Sequence, residues 1–309
     1  MIRDILKLLI LVALFIPLEM LADGERVGVI YPDVREPYRS IFTSILEGIF
    51  EAAGDEVHTI SVAKEVDPQE IVDWVKDNGI KDIIALGSRG QKMIENINLD
   101  VDKVILGAVV KPPAVEKSKL FYSGIMLTPS PQKVYEAMKQ LVPGVDNVYM
   151  IYSDTNQWYA EISIQNAGKF GYNLTAIKSE SIKDSANEYR KILEEANEYV
   201  AIWLLQDTLS SDSRIILPVV LEAAWKKKIP VISNNASHVK RGVLLALYPD
   251  HFELGISLAE ALSNEESKEQ KFFPFEEAHK AANTRTADHL DLDWSRRTIR
   301  GFSLVFPNE

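Results

Sequence analysis

Residues 237–255 read Ser237-His238-Val239-Lys240-Arg241-Gly242-Val243-Leu244-Leu245-Ala246-Leu247-Tyr248-Pro249-Asp250-His251-Phe252-Glu253-Leu254-Gly255. A Lys-Arg-Gly turn leads into an apolar run over 243–247, the length and character of a buried strand. Tyr248, Pro249 and Asp250 break it, and a helix is predicted over 252–262. The organisation of the chain follows from asking how often this strand-then-helix unit recurs.

It recurs throughout. Strands are predicted over 27–31, 57–62, 81–87, 104–110 and 121–127. Helices lie between them over 40–53, 68–78 and up to about 97. The first helix carries Ile41, Phe42, Ile45, Leu46, Ile49 and Phe50 on one stripe and stops at Gly54. The second opens on Pro68 and ends before Gly79. The pattern then restarts: helix 131–141, turn Pro143-Gly144, strand 147–152, helix 156–170, strand 173–177, helix 185–197, strand 200–205 and helix 213–227. Pro218 falls inside that last helix, so a late start or a kink is expected. Short strands over 231–233 and 243–247 and the helix from 252 complete the set. Residues 264–271 read as a charged loop, and 300–307 as an extra strand.

Alternating strands and helices imply mainly parallel sheets covered on both faces. Two such sets imply an α/β protein of two doubly wound parallel-sheet lobes joined by a three-strand hinge. Chain crossings are expected near Leu127-Thr128, near Tyr248 to Asp250 and near Phe272 to Glu276. One lobe would hold residues 23–127 and 249–275, the other 128–248 and 276–309.

The 309 residues carry a net charge of −11, from 45 acidic and 34 basic side chains. Tracking phosphates needs clustered Lys and Arg, so nucleic acid is not an expected partner. Lys226-Lys227-Lys228 sits at a predicted helix end, where positive charge suits the helix dipole. There is no cysteine. That excludes disulfides, thiolate metal sites and lipid attachment at a cysteine. Arg3 and Lys7 precede an apolar run over 8–16, then Pro17 and the small residue Ala22. The run is shorter than the ~20 residues needed to span a bilayer, and it reads as an export signal removed after about residue 22. An uncleaved anchor is the other reading.

In open parallel sheets, ligands bind beyond the carboxyl ends of the strands. The residues just past those ends are therefore the candidate site: Tyr31, Tyr38, Ser88 and Arg89 in the first set, and Tyr152, Asp154, Asn156, Asp207, Thr208 and Ser233 in the second. Short polar groups with aromatics nearby suit a small zwitterion with an apolar body. Each single residue has a plainer reading: Ser, Thr, Asp and Asn after strands also cap helices, and Arg89 is either a carboxylate partner or a solvated surface cation. No nucleophile elbow, phosphate loop or dinucleotide fingerprint follows a strand. The five histidines stand at no recognised metal spacing. His238 reads as a turn residue. No catalytic residue, cofactor or metal is expected.

The opening stretch, together with Leu141-Val142-Pro143 before a strand, the Asp207-Thr208 corner and Lys228-Ile229-Pro230-Val231 leading into Ser233, resembles the ABC transporter substrate-binding proteins of the type I periplasmic-binding fold. The resemblance is to the branch whose characterised members bind aromatic amino acids, and it runs over about residues 26–288. It implies a solute-binding protein with its ligand between the lobes, and the opening stretch as one passage between them. It also implies an ABC-type membrane permease as partner, or a membrane sensor if the protein docks a signalling receptor. A monomer in the periplasm, without a lipid anchor, is expected. Tyr31-Pro32-Asp33-Val34-Arg35-Glu36-Pro37-Tyr38, Lys111-Pro112-Pro113 and Asp207-Thr208-Leu209 depart from the family's usual patterns at positions that would touch ligand.

Overall fold

The computed structural model describes residues 26–113, 122–263 and 271–307; the expected export signal and most of the expected charged loop lie outside them. The first half alternates β1 (Val27–Pro32), α1 (Tyr38–Ala53), β2 (Val57–Val62), α2 (Pro68–Asp77), β3 (Asp82–Leu86), α3 (Gly87–Asn96), β4 (Lys103–Gly107) and β5 (Tyr122–Pro129). The second runs α4 (Pro131–Leu141), β6 (Asn147–Tyr152), α5 (Gln157–Ala167), β7 (Asn173–Lys178), α6 (Ile182–Glu195), β8 (Val200–Leu204), α7 (Ile216–Lys227), β9 (Val231–Ser233) and β10 (Leu245–Pro249). Then come α8 (His251–Ser263), β11 (Phe272–Phe275), β12 (Ala278–Asn283), α9 (Thr284–His289), α10 (Arg296–Arg300) and β13 (Leu304–Phe306).

These strands form two sheets. One has the order β11-β5-β4-β3-β1-β2, the other β13-β12-β10-β9-β8-β6-β7. Every pairing is parallel except β10 with β12. The central strands β3 and β8 are buried at every residue, as strands covered by helices on both faces must be. The chain passes between the sheets at Ser130, at Asp250 and at Glu276-Glu277. Backbone hydrogen bonds lash these passages together: Ser130 N donates to Phe275 O at 2.7 Å, and Asp250 N to Glu277 O at 3.3 Å. The fold is thus the expected α/β pair of doubly wound lobes with a triple connection.

Local chemistry explains most element ends. Asp67 caps α2 by accepting from Gln69 N, and Pro68 occupies the first turn, where its missing N–H costs nothing. Helix α7 starts late, at Ile216, which places Pro218 in the first turn instead of the interior. Lys228 ends it in the left-handed region at φ 54°. In the first lobe α1 and α8 cross at Gly48 and Gly255. A Cβ on Gly48 would strike the Phe252 carbonyl oxygen, and one on Gly255 the Ile45 carbonyl oxygen. In the second lobe Trp203 of β8 is fully buried beneath the strand ends. It meets Tyr135 and Tyr159 edge-on at 5.5 and 5.7 Å between ring centres. Such pairs add about 0.5–1.5 kcal/mol each beyond burial and make a stiff base.

Three sequence expectations shift. The strand expected over 243–247 is β10 at Leu245–Pro249, because Val243 N and Leu244 N are spent on His238 O and Val231 O. Phe272–Phe275 and Ala278–Asn283 are strands that no local pattern marked. The first tolerates Pro274 as an edge strand; the second is paired on both sides, by β10 and β13. The expected terminal strand over 300–307 is shorter, Leu304–Phe306, and follows a helical turn.

Candidate functional site

The carboxyl ends of both sheets face one another across a cleft. From the first lobe Val110 and Lys111 reach it; from the second come the turns after β6, β8 and β9. Trp158 of α5 crosses the gap. Its Nε1 donates to Val110 O at 3.0 Å, and its ring packs against the cores of both lobes. Lys111 lies 3.6 Å from Asp154, which also pairs with Lys178 at 2.7 Å. The hydrogen bond from Lys178, then the nearby charges of Lys178 and Lys111, hold the Asp154 carboxyl below its usual range. Tyr159 donates to Pro129 O at 2.7 Å, tying α5 to the start of the first crossing. Behind these contacts is a cavity of about 420 Å³, bordered by Val110 on one side and by Asp207, Asp212, Arg214, Asn235 and His238 on the other.

Asp207 organises the second-lobe wall. It is 7% exposed. One carboxylate oxygen accepts from Ser153 N at 2.9 Å, Ser153 Oγ at 2.7 Å and Asn156 Nδ2 at 3.0 Å. The other accepts from Leu209 N at 2.9 Å and Ser210 N at 3.0 Å. Burial alone would raise its pKa, but the bonds from Ser153, Ser210 and Asn156 together outweigh burial and lower it. A carboxylate so occupied joins the β6 and β8 turns.

His238 is buried on the cleft floor, in a 3₁₀ turn spanning Ala236–Arg241. Asn235 caps that turn by accepting from Ser237 N, which folds the imidazole back over Ser233. His238 Nδ1 lies 3.0 Å from Ser233 Oγ, and Nε2 lies 3.3 Å from Ser213 Oγ. Burial first, and the Arg241 charge second, lower its pKa to about 4. The ring is therefore neutral near pH 7 and acts as a hydrogen-bond bridge between two hydroxyls.

The structure distributes the residues expected from sequence unevenly. Asp207 and Thr208 border the cavity; Asn156 and Ser233 stand behind it as buried supports, through the Asp207 and His238 bonds above. Tyr152 packs, half-buried, against the second-lobe core. Asp154 lies at the cleft edge, paired with lysines. On the first lobe, Arg89 donates to Asp33 O at 2.5 Å and to Val62 O at 3.4 Å, so its guanidinium pins the turns after β1 and β2. Ser88 is exposed beside it. Tyr31 borders a separate recess of about 250 Å³ with Asp33, Arg39 and Phe42, and Tyr38 is 63% exposed at the start of α1. Sequence reasoning missed His238 and Arg214 and read Asp212 and Ser213 only as caps. Asp212 does not cap α7, which begins at Ile216 without a side-chain cap; it accepts from Arg214 N at 2.9 Å and Ile215 N at 2.8 Å in the turn before the helix, and it borders the cavity. The available signal for His238 was its place one 3₁₀ turn after a strand-ending Ser-Asn-Asn.

Among the described residues no group of three or more His, Asp or Glu is placed to hold a metal ion, and no helix is long and apolar enough to cross a membrane.

The family model for ABC transporter substrate binding proteins matches residues 123–294, more than half of the chain. A structure of an ABC domain in complex with L-Trp from Streptococcus pneumonia is similar over 91% of this chain and 99% of its own, at 18% identity and a TM-score of 0.57. The ligand-free, open structure of a substrate binding protein with adhesive properties from Clostridium difficile is similar over 92% of this chain and 100% of its own, at 16% identity and a TM-score of 0.65. A conserved domain protein from Vibrio cholerae covers 91% and 99%, at 17% identity and a TM-score of 0.56. No curated protein matches the sequence. At these identities the likeness is one of fold.

Proposed function

Because the chain belongs to the ABC transporter substrate binding protein family, we propose that it is an exported receptor that closes its two lobes on a small amphipathic solute and presents it to a membrane permease. The solute we favour is an amino acid with an aromatic or large apolar side chain. The observation that carries this reading is the cavity of about 420 Å³ between Val110 and the Asp207–His238 wall, a volume within the range of small-molecule sites. Besides Asp207, whose oxygens are taken up by donors of its own lobe, its lining carries a second carboxylate, Asp212, and a guanidinium, Arg214, suited to an ammonium and a carboxylate. Val110 offers apolar surface from the first lobe and Leu205 from the second. The pneumococcal neighbour, solved with L-Trp, lends support at the level of fold. Export to the periplasm follows the same reading.

Binding fits the site better than hydrolysis. Ser213 and His238 are within reach of one another, but the other imidazole nitrogen faces the Ser233 hydroxyl. A serine nucleophile relies on a base that a third group, usually a carboxylate, orients and stabilises as it takes the proton.

Calorimetry of the purified protein against a panel of the common amino acids is the test. Micromolar binding of one or more apolar amino acids is expected. Asp212→Asn, which keeps an acceptor for Arg214 N and Ile215 N, and Arg214→Ala should each weaken it about tenfold or more, the weight of a charge-assisted hydrogen bond. Absence of heat with every amino acid would remove this solute class.

A further inference from the structure

A second cavity, of about 440 Å³, opens on the outer flank of the second lobe, between α7, the 3₁₀ turn of Ala236–Arg241 and α9. Its walls are apolar: Leu221, Ile229, Val231 and Leu290. One side is a flat aromatic plate, the Trp225 indole stacked on the His289 imidazole at 3.6 Å and 2° between planes. His289 Nε2, 2.8 Å from Trp225 O, locks the plate by donating to it. Trp225 is nevertheless 40% exposed, so part of the plate remains open to a molecule in the cavity.

Charge converges on the same cavity. Lys240, Arg241 and Arg285 border it, with Lys226. Its bordering carboxylate, Glu222, is neutralised by Lys226 at 2.6 Å. Among the described residues Lys240, Arg241 and Arg285 form no ion pair with an acidic side chain, and Arg241 is held by the Ser213 carbonyl oxygen. An adjoining recess of about 360 Å³ shares Lys240, Asn283 and Arg285. In a chain of net charge −11, three cations without carboxylate partners around an apolar, aromatic-walled hollow form a local inversion of the field.

We propose that this flank cavity is a second binding site, for a small organic anion whose planar apolar body lies against the Trp225–His289 plate and whose carboxylate, sulfonate or phosphate meets Lys240 and Arg285. A volume of about 440 Å³ suits a compact molecule. The site stands apart from the cleft and does not rest on the amino-acid reading.

The probe for the test is 8-anilinonaphthalene-1-sulfonate, an aromatic anion whose emission rises in apolar surroundings. Saturable one-to-one binding to the folded protein is expected. Lys240→Glu/Arg285→Glu should weaken it by about tenfold or more, since two charge-assisted contacts become repulsive. Trp225→Ala should abolish the emission rise, and added salt should weaken binding. Arg214→Ala, in the cleft, should leave it unchanged. Each variant's melting temperature is read beside the titration, and Lys240→Gln/Arg285→Gln replaces the double reversal if that variant does not fold. No saturable binding, binding indifferent to the flank variants, or binding lost in Arg214→Ala would each overturn the proposal.

Discussion

The indole nitrogen of Trp158, on the second lobe, donates to the carbonyl oxygen of Val110, on the first, at 3.0 Å. A single side chain thus spans the cleft while burying its ring against both cores. Trp158→Phe keeps most of the packing and deletes the donor. A net hydrogen bond is worth about 0.5–1.5 kcal/mol, so the closed-to-open ratio should fall roughly two- to tenfold. Small-angle scattering of the ligand-free protein should report a larger radius of gyration; an unchanged profile would show that the bond does not govern closure.

Asp207 should matter for stability before it matters for ligand. Its two oxygens accept five hydrogen bonds from Ser153, Asn156, Leu209 and Ser210. Asp207→Ala leaves those donors without their anion and should cost about 2–5 kcal/mol. Urea denaturation measures it. Asp212→Asn, in the segment that follows, should cost less than ~1 kcal/mol, because the amide oxygen still accepts from Arg214 N and Ile215 N.

His238 predicts a pH window. Its folded pKa, about 4, lies below the ordinary 6.5. Between those values the unfolded chain binds the proton and the folded protein does not, so protonation favours unfolding. Stability contributed by this group is complete above pH 6.5 and falls as pH drops toward 4, by about 3 kcal/mol. The lowered Asp207 pKa acts in the same direction but further into acid, below its ordinary 3.8. Denaturation curves from pH 7 to 4 should slope for the native protein and be flatter for His238→Gln.

The α1–α8 crossing has no room for a methyl group. Gly48→Ala would press its Cβ on the Phe252 carbonyl oxygen, and Gly255→Ala on that of Ile45. Backbone atoms cannot rotate aside, so each should cost about 1–3 kcal/mol or more. The double variant should cost less than the sum, since one helix displacement relieves both clashes. A pair of thermal melts against Gly144→Ala does not isolate packing, because Gly144 has positive φ; Gly168→Ala, with open space around its Cβ, is the proper control.

What was legible in the chain is what depends on neighbours in sequence. The stripe of Ile41, Ile45 and Ile49, the Pro68 helix start and the Pro218 constraint all act within a few residues. They yielded the alternation and the two-set α/β architecture. The strand β12, Ala278–Asn283, lacks an apolar rhythm and exists because β10 and β13 pair with it. No local window holds that information.

The sequence by itself determined the alternation of strands and helices through β10 and the doubling of the lobes. Periodicity, caps and glycine stops are local forces, and parallel sheets place strand ends together. Only the tertiary structure decided what each polar side chain there does. Arg89 finds carbonyls 56 and 27 residues away, Asp207 reaches back 54 residues to Ser153, and Trp225 meets His289 across 64. A carboxylate, a guanidinium or an indole takes whichever partner the fold brings within hydrogen-bond or van der Waals reach, and that distance is set by packing far along the chain.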